Sequence, residues 1–128
     1  MVKFLLDEHI AAAAVAAVER YTPRLYVAHL ANWQGGRLLG CDDAALLEVA
    51  ATAGLTLVTY DCRTVPRLLK DWAEQGRQHG GVVLVDYSTL RPSDVGGLAK
   101  ALAHLAKLAQ AWEGGDRVVY LTRGQARC

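Results

Sequence analysis

Short apolar runs alternate along the chain with longer stretches of helical character, and three of those runs stop abruptly on an acid. Residues 2–6 form the first, an uninterrupted strand-like run that ends at Asp7, Glu8 and His9. Residues 10–20 are mostly alanine and valine and favour helix, because alanine gives up no side-chain entropy there; Tyr21, Thr22 and Pro23 stop it. A short strand is expected over residues 24–29, and residues 31–40, with Gly35, Gly36 and Gly40, read as a loop. Asp42 and Asp43 precede a helix over residues 44–53, with acids at its start and Gly54 at its end. The β-branched run 55–60 then gives a strand that stops at Asp61. A helix follows over residues 63–76, with Pro66 tolerated in its first turn. Residues 80–85 are the most apolar strand, and they stop on Asp86. Ser93 and Asp94 can cap a long helix to about Trp112, with Leu98, Leu102, Leu105, Ala109 and Trp112 on one face and Lys100, His104 and Lys107 on another. Residues 117–121 make a last short strand, and 124–128 a loose tail.

Strands alternating with helices at this spacing predict right-handed crossovers and an α/β fold: three layers, α/β/α, around a mostly parallel sheet of about five strands. At 128 residues, without repeats, low-complexity tracts or a linker, the chain reads as one domain, residues 1–128. Apolar residues make up 52% and charged residues 21%, and neither a bilayer-spanning run nor a signal segment stands out, so a cytoplasmic protein with no membrane partner is expected. Cys41, Cys62 and Cys128 are odd in number and widely spaced, which suits reduced thiols acting as small fillers rather than a zinc or redox motif. A formal charge of +1 supplies no global field toward nucleic acid. Any such attraction must be local.

The acids give the pattern its chemistry. Strands of a parallel sheet all point the same way, so Asp7, Asp61 and Asp86, each following a strand, gather along one edge. A helix start can be placed on either edge; the usual alternation is read here as putting Asp42 and Asp43 opposite, so the pattern alone does not bring Asp43 into the cluster. Crowded carboxylates repel and raise one another's pKa unless a cation neutralises them. Oxygen ligands with little histidine or thiolate select Mg²⁺ or Mn²⁺ over zinc. Such an ion activates water and stabilises charge on a phosphodiester undergoing hydrolysis. The same acids also have quieter uses: one at a helix start stabilises the macrodipole by about 0.3 to 1 kcal/mol, and aspartates after strands commonly form turns.

Arg63, Arg67 and Lys70, spaced i, i+4 and i+7, share a helix face that could hold an RNA backbone beside the acids or simply stand in water. Thr59 orients Asp61 or favours the strand. His9 lies near the acids, whereas His29, His79 and His104 read as structural or exposed. Trp33 can stack on a base or cover the core. Trp72 and Trp112 suit helix faces in the core, and the stripe Leu68, Leu69 and Trp72 could form a homodimer interface.

Lys3 to Glu8, then Asp43 followed by Leu46, Leu47 and Ala50, then Val58-Thr59-Tyr60-Asp61 resemble the short PIN-like proteins, in order and spacing, over essentially the whole chain. The resemblance implies a PIN-type fold with the opening strand central, and Asp7, Asp43 and Asp61 as the catalytic, metal-binding acids. It prefers Asp43 to Asp42 and implies that the helix opening at Asp43 reaches the metal edge. It further implies a Mg²⁺- or Mn²⁺-dependent ribonuclease acting on single-stranded RNA, in many such proteins a toxin held inactive by a small antitoxin. Glu8 and Asp86 are candidate fourth ligands. The chain departs from the pattern at His9, where asparagine is common, and at Arg63, where a second acid is common.

Two rival readings follow from the same residues. One is a PIN-like scaffold without catalysis that binds RNA or a protein partner, which Arg63 and the low net charge favour. The other is a phosphate-accepting receiver-like domain, which needs a lysine after the last strand and a small hydroxyl after the fourth, where this chain has Arg123 and Asp86.

Overall fold

Among the described residues, five strands and four α-helices build a parallel sheet between two layers of helix. The computed structural model describes residues 2–108 and 117–123; Ala109 and Trp112 of the expected helix face, Cys128 and the tail over 124–128 lie outside the described residues. In chain order the elements are β1 (Lys3–Leu6), α1 (Ala14–Tyr21), β2 (Tyr26–His29), α2 (Asp43–Ala53), β3 (Thr56–Thr59), α3 (Thr64–Glu74), β4 (Val82–Val85), α4 (Val95–Leu108) and β5 (Val118–Leu121). The strands lie in the order β2-β1-β3-β4-β5, all neighbours parallel. β1 is therefore an interior strand, paired on both sides and next to β3 at the middle of the sheet.

The unbroken apolar character of the strands follows from burial on both faces. Side chains alternate across a strand, so Phe4, Leu6, Val58, Val83 and Val85 enter a core with α1 and α4, through Val18, Leu98 and Leu102. Leu5 faces the other way and meets Leu30, Leu46 and Ala50; Val82 and Leu84 meet Leu47, Val65 and Trp72 beneath α2 and α3. Leu68 and Leu69 pack against this last cluster, so that stripe faces the sheet. Trp33 packs beside Leu5, Leu30 and Leu46, covering the core. Among the described residues, no helix is long and apolar enough to cross a membrane.

Local chemistry sets the helix ends. Asp42 accepts the Ala45 N–H at 2.8 Å to open α2, and Gly54, at φ 70°, closes it with its N–H on the carbonyls of Ala50 and Ala51. Pro66 is the third residue of α3, inside the first turn, where its missing N–H leaves no helical bond broken. Asp94 caps α4 through the Gly97 N–H at 2.9 Å. α1 departs from the sequence reading: it begins at Ala14, not Ile10. The Ile10 N–H is turned back to the Asp7 carbonyl at 3.0 Å and its carbonyl meets the His29 ring at 2.6 Å, so residues 7–13 leave the strand in turns before the helix can start.

β3 and β4 approach closely where they begin. The Thr56 hydroxyl donates to the Gly80 carbonyl at 2.8 Å, and a Cβ on Gly80 would collide with the Leu55 carbonyl. Gly80→Ala is expected to destabilise the protein by about 1 to 3 kcal/mol, because backbone rather than a flexible side chain must move; urea unfolding of the two proteins measures it.

Candidate metal centre

The strand order places a switch point between β1 and β3. From β1 the chain moves outward to β2 and then back across to β3, so right-handed crossovers carry α1 and α2 to opposite faces and the loops leaving β1 and β3 diverge. The crevice left between them is bordered by Asp7, directly after β1, and Asp61, two residues after β3. Asp43 joins them, correcting the expectation drawn from alternation. A helix in a parallel crossover departs from the carboxyl end of the preceding strand, so the N-terminus of α2 starts on the same edge as the strand ends. The Asp43 carboxyl accordingly donates a hydrogen bond to Asp61.

Asp7 is 6% exposed, with its backbone N–H on the Val58 carbonyl at 3.0 Å. Its Oδ2 accepts the Thr59 hydroxyl at 2.7 Å, and its Oδ1 accepts the His9 N–H at 3.4 Å. Thr59 also accepts, from the Asp61 N–H at 3.0 Å. One hydroxyl thus ties the carboxylate after β1 to the backbone after β3. The sequence reading linked Thr59 to Asp61 alone; what it lacked was the register, Leu6 opposite Val58, that sets Asp7 beside Thr59.

Charge in the crevice is divided unequally. Burial, then the hydrogen bond to Asp61, then the charges of Asp61, Asp7 and Asp42, push the Asp43 carboxyl up to about 6. Burial also opposes ionisation of Asp61, but N–H groups of Thr64 and Arg63, the Asp43 carboxyl and the Thr64 hydroxyl all donate to it and hold it below the usual carboxylate range. The two backbone bonds go to Asp61 Oδ1, at 2.8 and 2.9 Å, and fix the turn into α3. Asp43 and Asp61 therefore titrate as a pair, Asp43 shifted up and Asp61 down.

Glu8 and His9 are exposed in the turn after Asp7. Among the described residues, the group whose ligand atoms all lie within 4.8 Å of one another is Asp7, Glu8 and His9. The acidic edge thus holds two adjoining sets of donors: that triplet, and the Asp43–Asp61 pair, in which Asp43 feels the charges of Asp61 and Asp7. Asp86 sits on the same edge but is engaged in a turn. Its oxygens accept the Ser88 hydroxyl at 3.0 and 3.1 Å and the Thr89 hydroxyl at 2.9 Å, and Thr89 and Ser88 hold it below its ordinary pKa. Cys62 senses both neighbours: burial, then the charges of Asp61 and Asp86, raise its thiol. Cys41 and Cys62 are free.

No family model, curated protein or solved structure matches this chain. Among the described residues, ion pairs join Arg77 to Glu48 and Arg123 to Asp94; Asp7, Asp43 and Asp61 have no such partner. Hard carboxylate oxygens crowded without a cationic side chain suit Mg²⁺ or Mn²⁺; His9 is a softer donor in the triplet, and the Cys62 thiol lies beside Asp61. Arg63, Arg67 and Lys70 are exposed along α3, whose first turn is the one Asp61 closes. Arg123, after β5, spends its Nε on the Thr89 carbonyl at 3.0 Å and pairs with Asp94. It is committed there instead of over Asp61, where the receiver-like reading requires a lysine.

An acid whose pKa is higher in the folded than in the unfolded chain binds more protons when folded between those two values, so stability falls as pH rises through the window. For Asp43 that window runs from 3.8 to about 6. With a chelator present, urea midpoints are expected to decline across it in the wild type, and Asp43→Asn to flatten that decline.

Proposed function

We propose that this protein is a Mg²⁺- or Mn²⁺-dependent endoribonuclease of PIN type. The single observation that carries the reading is the gathering of acids from three separate elements along one edge, Asp7 after β1, Asp43 opening α2 and Asp61 after β3, at the switch point of a parallel sheet and, among the described residues, without a basic partner. Nothing in the packing of the core asks for three acids in one crevice. Asp7, Asp43 and Asp61 would hold the ion, with Glu8 and His9 next to it. When bound, the ion would polarise a water and offset charge on the phosphodiester oxygens. The chain's own groups supply the rest. Thr59 keeps the Asp7 carboxylate aimed at the crevice, and Arg63, Arg67 and Lys70 offer a cationic face along which single-stranded RNA can lie. A small antitoxin as partner rests on the family resemblance alone; a neighbouring gene for a small DNA-binding protein would support it.

A second reading, a PIN-shaped scaffold without catalysis, is favoured by one observation. Asp61 spends Oδ1 on the α3 backbone and accepts a hydrogen bond from Asp43, which leaves it less free as a ligand. Arg63 in place of a further acid points the same way.

Cleavage of a fluorescent single-stranded RNA with Mn²⁺ tests the first reading. Asp7→Asn is expected to lower the rate by about 100-fold or more while the fold, seen by circular dichroism, survives. If calorimetry finds no Mn²⁺ or Mg²⁺ binding, and Asp7→Asn raises the melting temperature without changing RNA affinity, the scaffold reading stands instead. On either reading that includes RNA, Arg67→Glu and Lys70→Glu are expected to weaken binding at all sequences. Each lost phosphate contact should reduce the slope of log affinity against log salt by about 0.7.

A further inference from the structure

The turn that displays Glu8 and His9 is held from outside the acidic edge. Residues 7–10 are closed by the Ile10 N–H on the Asp7 carbonyl. The Ile10 side chain is buried in the main core, and its carbonyl meets His29 Nε2 at 2.6 Å. His29 ends β2, is itself buried, and accepts the Ala31 N–H on Nδ1 at 3.0 Å. A ring that accepts at Nδ1 must carry its proton at Nε2, so both contacts together select one neutral tautomer, with Nε2–H as the donor to Ile10.

We infer that His29 is a positioning residue for the acidic turn: its Nε2–H grips the Ile10 carbonyl and so keeps Asp7, Glu8 and His9 in the arrangement that offers a divalent cation three ligand atoms within 4.8 Å. Neither bond of the ring touches a ligand atom. The action is through the backbone: Ile10 is the last residue of the turn, and its side chain is anchored while its carbonyl is not, except by His29. Without that donor a buried carbonyl would be left unpaired, which is costly enough that the turn opens to let water reach it. The statement about the turn stands by itself; the statement about cation affinity rests on the reading of this edge as a divalent-ion site.

Two substitutions separate the ring's two bonds. In His29→Asn the amide oxygen stands where Nδ1 was and still serves Ala31, but nothing reaches Ile10. In His29→Gln the amide nitrogen stands near Nε2 and still serves Ile10, but Ala31 loses its acceptor. Hydrogen exchange by NMR is expected to show the Ile10 amide about ten-fold less protected in His29→Asn and near wild type in His29→Gln, with the Leu6 and Val58 amides unchanged in both. Mn²⁺ titration is expected to follow the same order, about ten-fold weaker in His29→Asn and little changed in His29→Gln. Equal losses in both variants, or an unchanged Ile10 amide in His29→Asn, would overturn the inference. So would an opened turn that binds Mn²⁺ as tightly as the wild type. If the wild type itself takes up no Mn²⁺, the divalent-ion reading and the affinity statement fail together, while the exchange data still decide the turn. The wild type gives one further check that needs no variant: nitrogen-15 spectra should show His29 protonated at Nε2, and a proton on Nδ1 would sink the inference.

Discussion

The register of β1 against β3, Leu6 opposite Val58, is the constraint on which the acidic edge depends. It sets the Asp7 N–H on the Val58 carbonyl and the Asp7 carboxylate on the Thr59 hydroxyl, and that hydroxyl in turn receives the Asp61 N–H. A slip of one residue would turn every side chain of β1 to the wrong face, moving Phe4 and Leu6 out of the larger core and Leu5 into it. The apolar sheet and the polar crevice are therefore specified by the same pairing. The core does the holding, and the geometry at the strand ends follows.

Holding them has a cost. Carboxyl groups gathered at a partly buried edge oppose folding, which shows in the raised Asp43 carboxyl, and the protein softens this by turning backbone N–H groups to Asp61. Stability could be gained by replacing Asp43, whose carboxyl is pushed up, with a neutral residue, whereas Asp61 is held by backbone N–H groups that its replacement would lose. Retaining a destabilised cluster on a scaffold that is otherwise consistent at every level is how functional sites commonly announce themselves. The cationic face of α3 fits this picture, since it leaves the acids unpaired and stands beside them in water.

Much of the architecture was legible because its signals are local. The apolar runs ending on Asp7, Asp61 and Asp86 mark three interior strands, and Asp42, Gly54 and Asp94 mark helix ends by hydrogen bonds made within a few residues. What was not legible depends on long-range geometry. Pattern alone leaves the edge of Asp43 open, and only the family resemblance puts it beside Asp61; strand polarity, which fixes where a crossover helix begins, is what decides it. The link from Thr59 to Asp7 spans 52 residues and needs the register; the late start of α1 needs His29, 19 residues beyond Ile10. The apolar stripe of α3 was open between core and interface until the sheet supplied Val82 and Leu84 to cover it.

Asp94 serves two masters on the same edge of the sheet, where α4 begins. It caps α4 through Gly97 and pairs with Arg123, which also grips the Thr89 carbonyl in the loop after β4. A residue just after the edge strand β5 and the start of α4 thereby share one carboxylate, so that peeling β5 from the sheet would also break the Asp94–Arg123 pair. An edge strand that would otherwise be the first part of the fold to open is bound into the same cooperative unit as the core beneath it.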